Sequence, residues 1–315
     1  MNLIHVAPMR ALPPFDSLIA FDAALRRRSM TLAASELGLT QSAISHRLRK
    51  LEAFMGAPLL RRSSSGLSAT PVGEALAEGL TTLLDDMSEL RARSRAALRP
   101  MTLRVGAGAA LADNWLVRRL PGFSVAHPGI AVELVMVASE TEIRSSDLDI
   151  QVHWMPTADA RSSSTKRILF KERVFPVCAP QLLPQGRTLT DPAELARLPV
   201  VHKGPADAAS GAEWSWATWF ERLGIAGSPP QGLRLDTLGT ALAAALQGAG
   251  VVLARSLVVH DALAEGRLCR VLPPSWDMPS SKAHMVRWPA ALAGDERVQA
   301  FVSWLVVEAN ATSQG

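Results

Sequence analysis

The chain has 315 residues, too many for one ordinary core and enough for two or three domains. Apolar residues make up 48% of it, and the most apolar region, residues 238–260, is broken by Gln247 and Arg255, which argues against a membrane span. The net charge of +4 is unevenly placed: residues 1–100 carry 13 Lys and Arg against 9 Asp and Glu, so the whole excess lies in the first third, where a phosphate-bearing partner would need it.

The opening MNLIHVAPMRALPPFDS lacks a charged start followed by a continuous apolar run, so no secretory signal is expected and a cytoplasmic location follows. Residues 15–28 read as a first helix, with Phe15, Leu18, Ile19, Phe21, Ala23 and Leu25 supplying apolar surface. Arg26, Arg27 and Arg28 close it, and two roles stay open for them, complementing the helix dipole or touching phosphate.

Residues 31–52, TLAASELGLTQSAISHRLRKLE, read as two short helices joined by a tight turn. Leu32, Ala33, Ala34 and Leu37 give the first its apolar face, and Gly38 stands where a left-handed C-cap is needed. Thr40 is a good N-cap for the second, in which Ile44, Leu48 and Leu51 form one buried stripe. The other face carries Gln41, Ser42, Ser45, His46, Arg49 and Lys50. Hydrogen-bonding and cationic groups aimed away from the core are what a helix lying in a major groove requires, and the pair reads as a helix-turn-helix. Within residues 26–62 there are eight cations and only Glu36 and Glu52 as anions.

The segment 21–62, FDAALRRRSMTLAASELGLTQSAISHRLRKLEAFMGAPLLRR, resembles the DNA-binding domain of LysR-type transcriptional regulators: it follows their small-residue pair, TQSAxS and KLExxxGxxLFxR patterns almost position by position. It departs at Leu60, where the family usually has Phe, a change of packing only. Residues from about 102 to 310 resemble the effector-binding region of the branch with the glycine-cleavage and β-lactamase activators.

After Glu52, residues 58–71 hold short apolar pieces either side of Ser63-Ser64-Ser65-Gly66 and predict a two-stranded wing, with Arg61 and Arg62 near the minor groove or backbone. From Val72 to Leu98 the pattern is a long helix in which Leu76, Leu80, Leu83, Met87 and Leu90 alternate four and three apart, a heptad seam. Pairing with another subunit would bury it; packing on the chain's own regulatory region is the alternative.

Beyond Pro100 strands alternate with helices, as in a parallel sheet with crossover helices. Trp214, Trp216, Trp219 and Phe220 share one helical stretch and read as core, with Trp214 the doubtful member. Residues 295–308 read as a closing helix. The resemblance divides the chain into a winged helix-turn-helix domain at 10–71, a dimerising linker helix at 72–99 and a two-lobed periplasmic-binding-protein-like α/β effector domain at 100–315. One lobe is expected at about 102–167 plus 269–315, the other at about 168–268.

VGAGAAL has Gly106 and Gly108, but Leu111 stands where a dinucleotide fingerprint has its third glycine, and a strand-to-helix turn explains the pair. There is no GxxxxGK[ST], HExxH or GxSxG, and no two of the seven histidines are four apart. No cofactor, metal or catalytic residue is therefore expected. Cys178 and Cys269 are far apart in the chain and form no CxxC, and Cys178 in VFPVCAP reads as a buried strand residue, so a redox switch is set aside and both are expected to be inert.

A sequence-specific transcriptional regulator of the LysR type is the expected function; the alternative is a catalytic α/β domain fused to a DNA-binding head. A purely architectural DNA-binding protein would leave the last two thirds of the chain without a purpose. The resemblance implies promoter DNA, a small-molecule effector and a homodimer or dimer of dimers as partners, allows contact with RNA polymerase, and implies no membrane. For DNA the expected residues are Thr40, Gln41, Ser42, Ser45, His46, Arg49, Lys50, Arg61 and Arg62. For the effector they are Ala109, Ala110, Ser139, His153, Lys203 and Thr237. The loop where relatives often carry a hydroxyl is Gly108-Ala109-Ala110-Leu111, so backbone donors remain there and the alanines favour a bulkier, partly apolar ligand or a sensor that has lost its effector. Lys203 either pairs with an anionic ligand or is a solvated loop residue.

Overall fold

The computed structural model describes residues 12–63, 66–98, 101–137, 147–184, 187–204 and 212–314. The chain divides into two compact units, residues 1–90 and 91–315. In the first, α1 (Phe15–Arg27), α2 (Met30–Leu37) and α3 (Gln41–Met55) close around Phe21, Ala24, Ala33, Ile44, Leu51 and Leu59, none of which keeps exposed surface. Ser29 and Thr40 cap α2 and α3 by accepting from Leu32 N at 3.3 Å and Ala43 N at 3.2 Å, contacts worth about 1 kcal/mol each. Gly38 ends α2 at φ 64°, as the turn predicts.

α1 stops one residue short of expectation because Arg28 turns left-handed at φ 51° and its carbonyl accepts Leu67 N at 3.0 Å. That bond anchors the wing, β1 (Leu60–Ser63) against β2 (Gly66–Ala69). Gly66 has φ 106°, and a Cβ there would lie 2.7 Å from the Arg28 carbonyl oxygen, so only glycine lets the wing dock this closely.

α4 (Pro71–Leu98) is the long helix, and the structure corrects how its stripe is used. Leu76, Leu80 and Leu84 pack into the head's own core, Leu80 with 3% of its surface exposed. Leu83, Met87 and Leu90 stay 43%, 48% and 50% exposed. The first turns of the helix are thus part of the head, and only the later part of the seam is left to meet another surface.

The second unit is built on one mixed sheet. β3 (Thr102–Ala107), β4 (Ala131–Met136) and β5 (Ile150–Pro156) are parallel, as the strand–helix rhythm predicts, with β3 in the middle. The crossover helix begins at α5 (Ala109–Leu111), passes through a π turn and continues as α6 (Val117–Ala126). The rest of the sheet is antiparallel: β6 (Lys166–Cys178) pairs with β9 (Val252–Arg255), β10 (Cys269–Arg270) and β11 (Met278–Arg287), and β11 returns to β5. A small parallel pair, β7 (His202–Lys203) with β8 (Arg234–Leu235), lies outside it. Helices α7 (Trp216–Leu223), α8 (Leu238–Leu246), α9 (Ser256–Ala264) and α10 (Glu296–Gln314) complete the unit; α10 runs further than the expected closing helix.

Two hydrophobic cores flank the long strands. The first gathers Val105, Trp115, Phe123, Ile150, Val286 and Phe301; the second gathers Val177, Leu195, Trp219, Phe220, Leu242 and Val252. The crossings lie later than the sequence suggests, since Leu169 and Phe170 pack in the first core and Val271 and Leu272 in the second. The strands run through the joint without a break, so hydrophobic pattern alone cannot mark it. α9 bridges both cores, with Leu257 in the first and Val258, Val259 and Ala262 in the second. Trp216 and Trp219 are core, their indole N–H groups donating to Val201 O at 2.9 Å and Glu213 O at 3.1 Å. Gly106 has a packing reason, because a Cβ there would run into Leu148. Among the described residues no helix is long and apolar enough to cross a membrane.

Candidate functional site

The exposed face of α3 collects most of the residues expected at DNA. Thr40, Gln41, Ser42, His46, Arg49 and Lys50 are exposed and Ser45 is half-buried, while Ile44, Leu48 and Leu51 hold the opposite face in the core. Thr40 Oγ1 lies 2.9 Å from Ser42 Oγ, which fixes both hydroxyls at the start of the helix. Arg49 lies back along α3, its Nε donating to Ser45 O at 3.3 Å. Arg47, left off that face by its spacing, pairs instead with Asp16 of α1 at 3.3 Å.

The arginines ending α1 are engaged within the head. Arg26 reaches Glu36 of α2 at 2.7 Å and Arg27 binds the same carboxylate. The Arg26 hydrogen bond outweighs burial and holds Glu36 below the usual carboxylate range. Arg61 is exposed on the wing and donates to Ser68 Oγ at 3.3 Å; Arg62 stands opposite Leu67 on β1.

The residues expected at the effector divide into two groups. Ala110 packs against the second core, and its Cα is 3.9 Å from where a Cβ on Gly239 would lie, so the start of α5 abuts the start of α8. Ala109 is exposed beside it, and Thr237 caps α8 by accepting from Thr240 N at 3.1 Å. Lys203 pairs with Leu235 in the β7–β8 register, two residues before Thr237, so these residues share one edge. His153 is buried on β5, and strand alternation turns it to the sheet face opposite Trp154. Ser139 lies outside the described residues.

Around Lys203 the fold assembles a charged cluster drawn from residues 154–282. Lys203 Nζ is 4.7 Å and Arg255 Cζ 4.8 Å from the centre of the Trp214 ring, and Lys282 Nζ is 3.3 Å from that of Trp154. Glu213, 6% exposed, accepts from Arg255 at 3.2 Å, Ser280 Oγ at 3.3 Å and Ser281 N at 2.6 Å. Burial pushes the Lys203 ammonium down and neighbouring Arg255 adds to this, with Glu213 opposing. Lys282 is lowered in the same way, by burial first, then by Arg255 and Lys203. Burial raises Glu213, but Ser281 N–H and Arg255 outweigh it and hold the carboxyl below its ordinary value. Among the described residues the cluster brings three cations and one carboxylate together at a half-buried site, where a charge-assisted contact is worth more than in water.

Sequence reasoning reached Lys203 and singled out Trp214, but not Glu213, Arg255, Ser280, Lys282 or Trp154. They obey no spacing rule because three separate strands and a turn bring them together. The one available signal was Arg255, a charge inside an otherwise apolar run.

Two domain families match this chain: the one described as "Bacterial regulatory helix-turn-helix protein, lysR family" over residues 15–74, and the one described as "LysR substrate binding domain" over residues 97–309. The chain is 29% identical over 306 residues to the glycine cleavage system transcriptional activator of Escherichia coli K12, with 97% of each chain covered. It is 31% identical over 299 residues to the HTH-type transcriptional regulator PerR of the same organism, covering 94% of this chain and 96% of that one. The effector domain of the transcriptional regulator AmpR of Pseudomonas aeruginosa has the same fold, with a TM-score of 0.52 at 24% identity over 68% of this chain and 98% of that one. The chain therefore belongs to the LysR family of transcriptional regulators, proteins that join a helix-turn-helix DNA-binding domain to an effector-binding α/β domain and are not enzymes.

Proposed function

We propose that this regulator reads promoter DNA in the cytoplasm through the exposed face of α3 and answers to a small carboxylate with an apolar body. On the DNA side, Gln41, Ser42, Ser45 and His46 are positioned for base edges, with Arg49, Lys50 and the wing arginines Arg61 and Arg62 for phosphates. Leu83, Met87 and Leu90 pair two linker helices, which spaces two recognition helices about one DNA turn, roughly 34 Å, apart.

The observation that carries the effector reading is the cluster of Lys203, Arg255 and Lys282 around one carboxylate, Glu213. A ligand carboxylate there gains charge-assisted contacts with these cations, while Ala109 and Ala110 offer apolar contact nearby. Because burial and mutual repulsion depress both lysines, binding an anion draws their pKa values back up, so affinity falls as pH rises through the depressed range. Calorimetry of carboxylic acids and their amides against the full chain tests this. Acids are expected to bind with proton uptake on the alkaline side, where the depressed lysines begin to lose their protons, and Lys282→Ala to weaken them about tenfold, the amides staying inactive. Amides binding as well as acids would remove the cluster from the effector site.

A further inference from the structure

Cys178 and Cys269, 91 residues apart in the chain, are neighbours in the fold. They stand directly opposite each other on antiparallel β6 and β10, with their Sγ atoms 4.0 Å apart. Opposed residues in such a pair have Cα atoms about 4.5–5.5 Å apart, inside the range a disulfide spans. Closing the sulfurs to about 2.05 Å therefore needs side-chain rotation rather than movement of the strands. The two thiols are not equivalent. Cys178 has no exposed surface, whereas Cys269 is half-buried on a two-residue strand.

We propose that Cys178 and Cys269 are a reversible dithiol–disulfide pair that closes when the protein meets a hydroperoxide. Cys269 attacks first as the thiolate. Its sulfur bonds to one peroxide oxygen, the O–O bond breaks, and the departing hydroxide takes a proton and leaves as water. Cys178 then gives up its proton and attacks the sulfenic sulfur of Cys269, expelling the second hydroxide, which is protonated to water. In sum, two thiols and one hydrogen peroxide give one disulfide and two waters. Electrostatics agree with the order: the Cys178 thiol stabilises the Cys269 thiolate and lowers its pKa, while that same contact and burial push Cys178 up.

The bond would lie within the second lobe, close to where the chain enters and leaves it. β6 passes from the first core at Phe170 to the second at Val174; Cys178 belongs to that second core and Cys269 packs against it, with Val271 and Leu272 still in it. Next to Cys269, Arg270 pairs with Asp277, which also takes Arg173 of β6 at 3.2 Å. A disulfide adds a covalent tie to those ion pairs and closes a loop around most of the second lobe.

The test uses the full chain, treated with micromolar hydrogen peroxide, alkylated and digested with trypsin without reduction. The expected product joins residues 174–187 to residues 268–270, about 2 Da lighter than the two peptides together and separated again by dithiothreitol. Oxidation should also raise the melting temperature by roughly 5–10 °C, since the loop closed is long. Cys178→Ala should accumulate a dimedone-reactive sulfenic acid at Cys269, and Cys269→Ala should give no adduct at Cys178. The native chain alone decides the matter if a variant folds poorly. Two thiols still open to alkylation after peroxide, or Cys269 carried to sulfinic acid with no linked peptide, would overturn the proposal.

Discussion

Gln41 and Arg49 occupy the same exposed face of α3, but their side chains divide the work. Glutamine presents a donor and an acceptor that match adenine in bidentate fashion, whereas Arg49, with Nε held to the Ser45 carbonyl, offers only its outer nitrogens and suits a phosphate. Gln41→Ala is expected to cost about 1–3 kcal/mol at matching operators and little elsewhere. Arg49→Ala should weaken all sequences alike and flatten the salt dependence of binding by about one unit. Filter binding of both variants to specific and random duplexes over a salt series measures this, and an equal, sequence-blind loss would contradict the division. Thr40 was legible as a cap because the N-cap interaction is local. Arg26 and Arg27 were not, since only the packing of α1 against α2 shows that Glu36 engages them.

In α4 one heptad pattern serves two purposes. Leu76 and Leu80 fill the head's core, and Leu83, Met87 and Leu90 continue the same stripe into solvent. Two substitutions three residues apart should therefore fail differently. Leu80→Asp would bury a charge in the head and destabilise it by several kcal/mol, about what large core losses cost or more. Leu83→Asp should leave the head's melting unchanged and abolish dimerisation together with tight operator binding. Sedimentation velocity at low micromolar concentration, with thermal melts of both variants, separates the outcomes; a dimeric Leu83→Asp protein would place the seam elsewhere. Periodicity located the stripe, but it could not apportion it, because a helical repeat records that a face is apolar and not what covers it.

For the regulatory unit as a whole, ion pairs join the two cores. Arg119 of α6 grips Asp261 of α9 through two hydrogen bonds of 2.8 Å, and buried Glu172 of β6 accepts from Ser256 at 2.6 Å and Leu257 N at 3.0 Å and contacts His284 at 2.5 Å. Burial pushes the Asp261 carboxyl up, but Arg119 and His260 overcome it and hold it at about 2. Burial likewise opposes ionisation of Glu172, and the His284, Leu257 and Ser256 contacts overcome it. Both are carboxylates with depressed values, so their stabilisation is complete above the ordinary 3.8 and 4.5 and is lost as pH falls through the lowered ones. The melting temperature is expected to drop steeply below pH 4. Asp261→Asn should lower it at pH 7 and leave less to lose between about pH 4 and 2. Calorimetric melts across that range check this; an unchanged acid profile in the variant would remove Asp261 from the account.

TLAASELGLTQSAISHRLRKLE determined the DNA-binding head by itself, because caps, a left-handed glycine and an apolar stripe all act within a few residues of chain. The same holds for the wing, for the parallel sense of β3, β4 and β5 and for the two-part character of the chain, where composition and strand–helix alternation are local signals. Tertiary structure alone decided which long-range pairs form. Lys203 meets Arg255, Glu213 and Lys282 only because the fold brings β7, the end of β9, the turn at 212–214 and the middle of β11 together. The crossing points between cores are hidden inside continuous strands. The two cysteines, inert by spacing, become cross-strand partners once β10 turns back onto β6. Contacts between residues tens of positions apart leave no period in the sequence, since chain closure, not local backbone preference, brings them together.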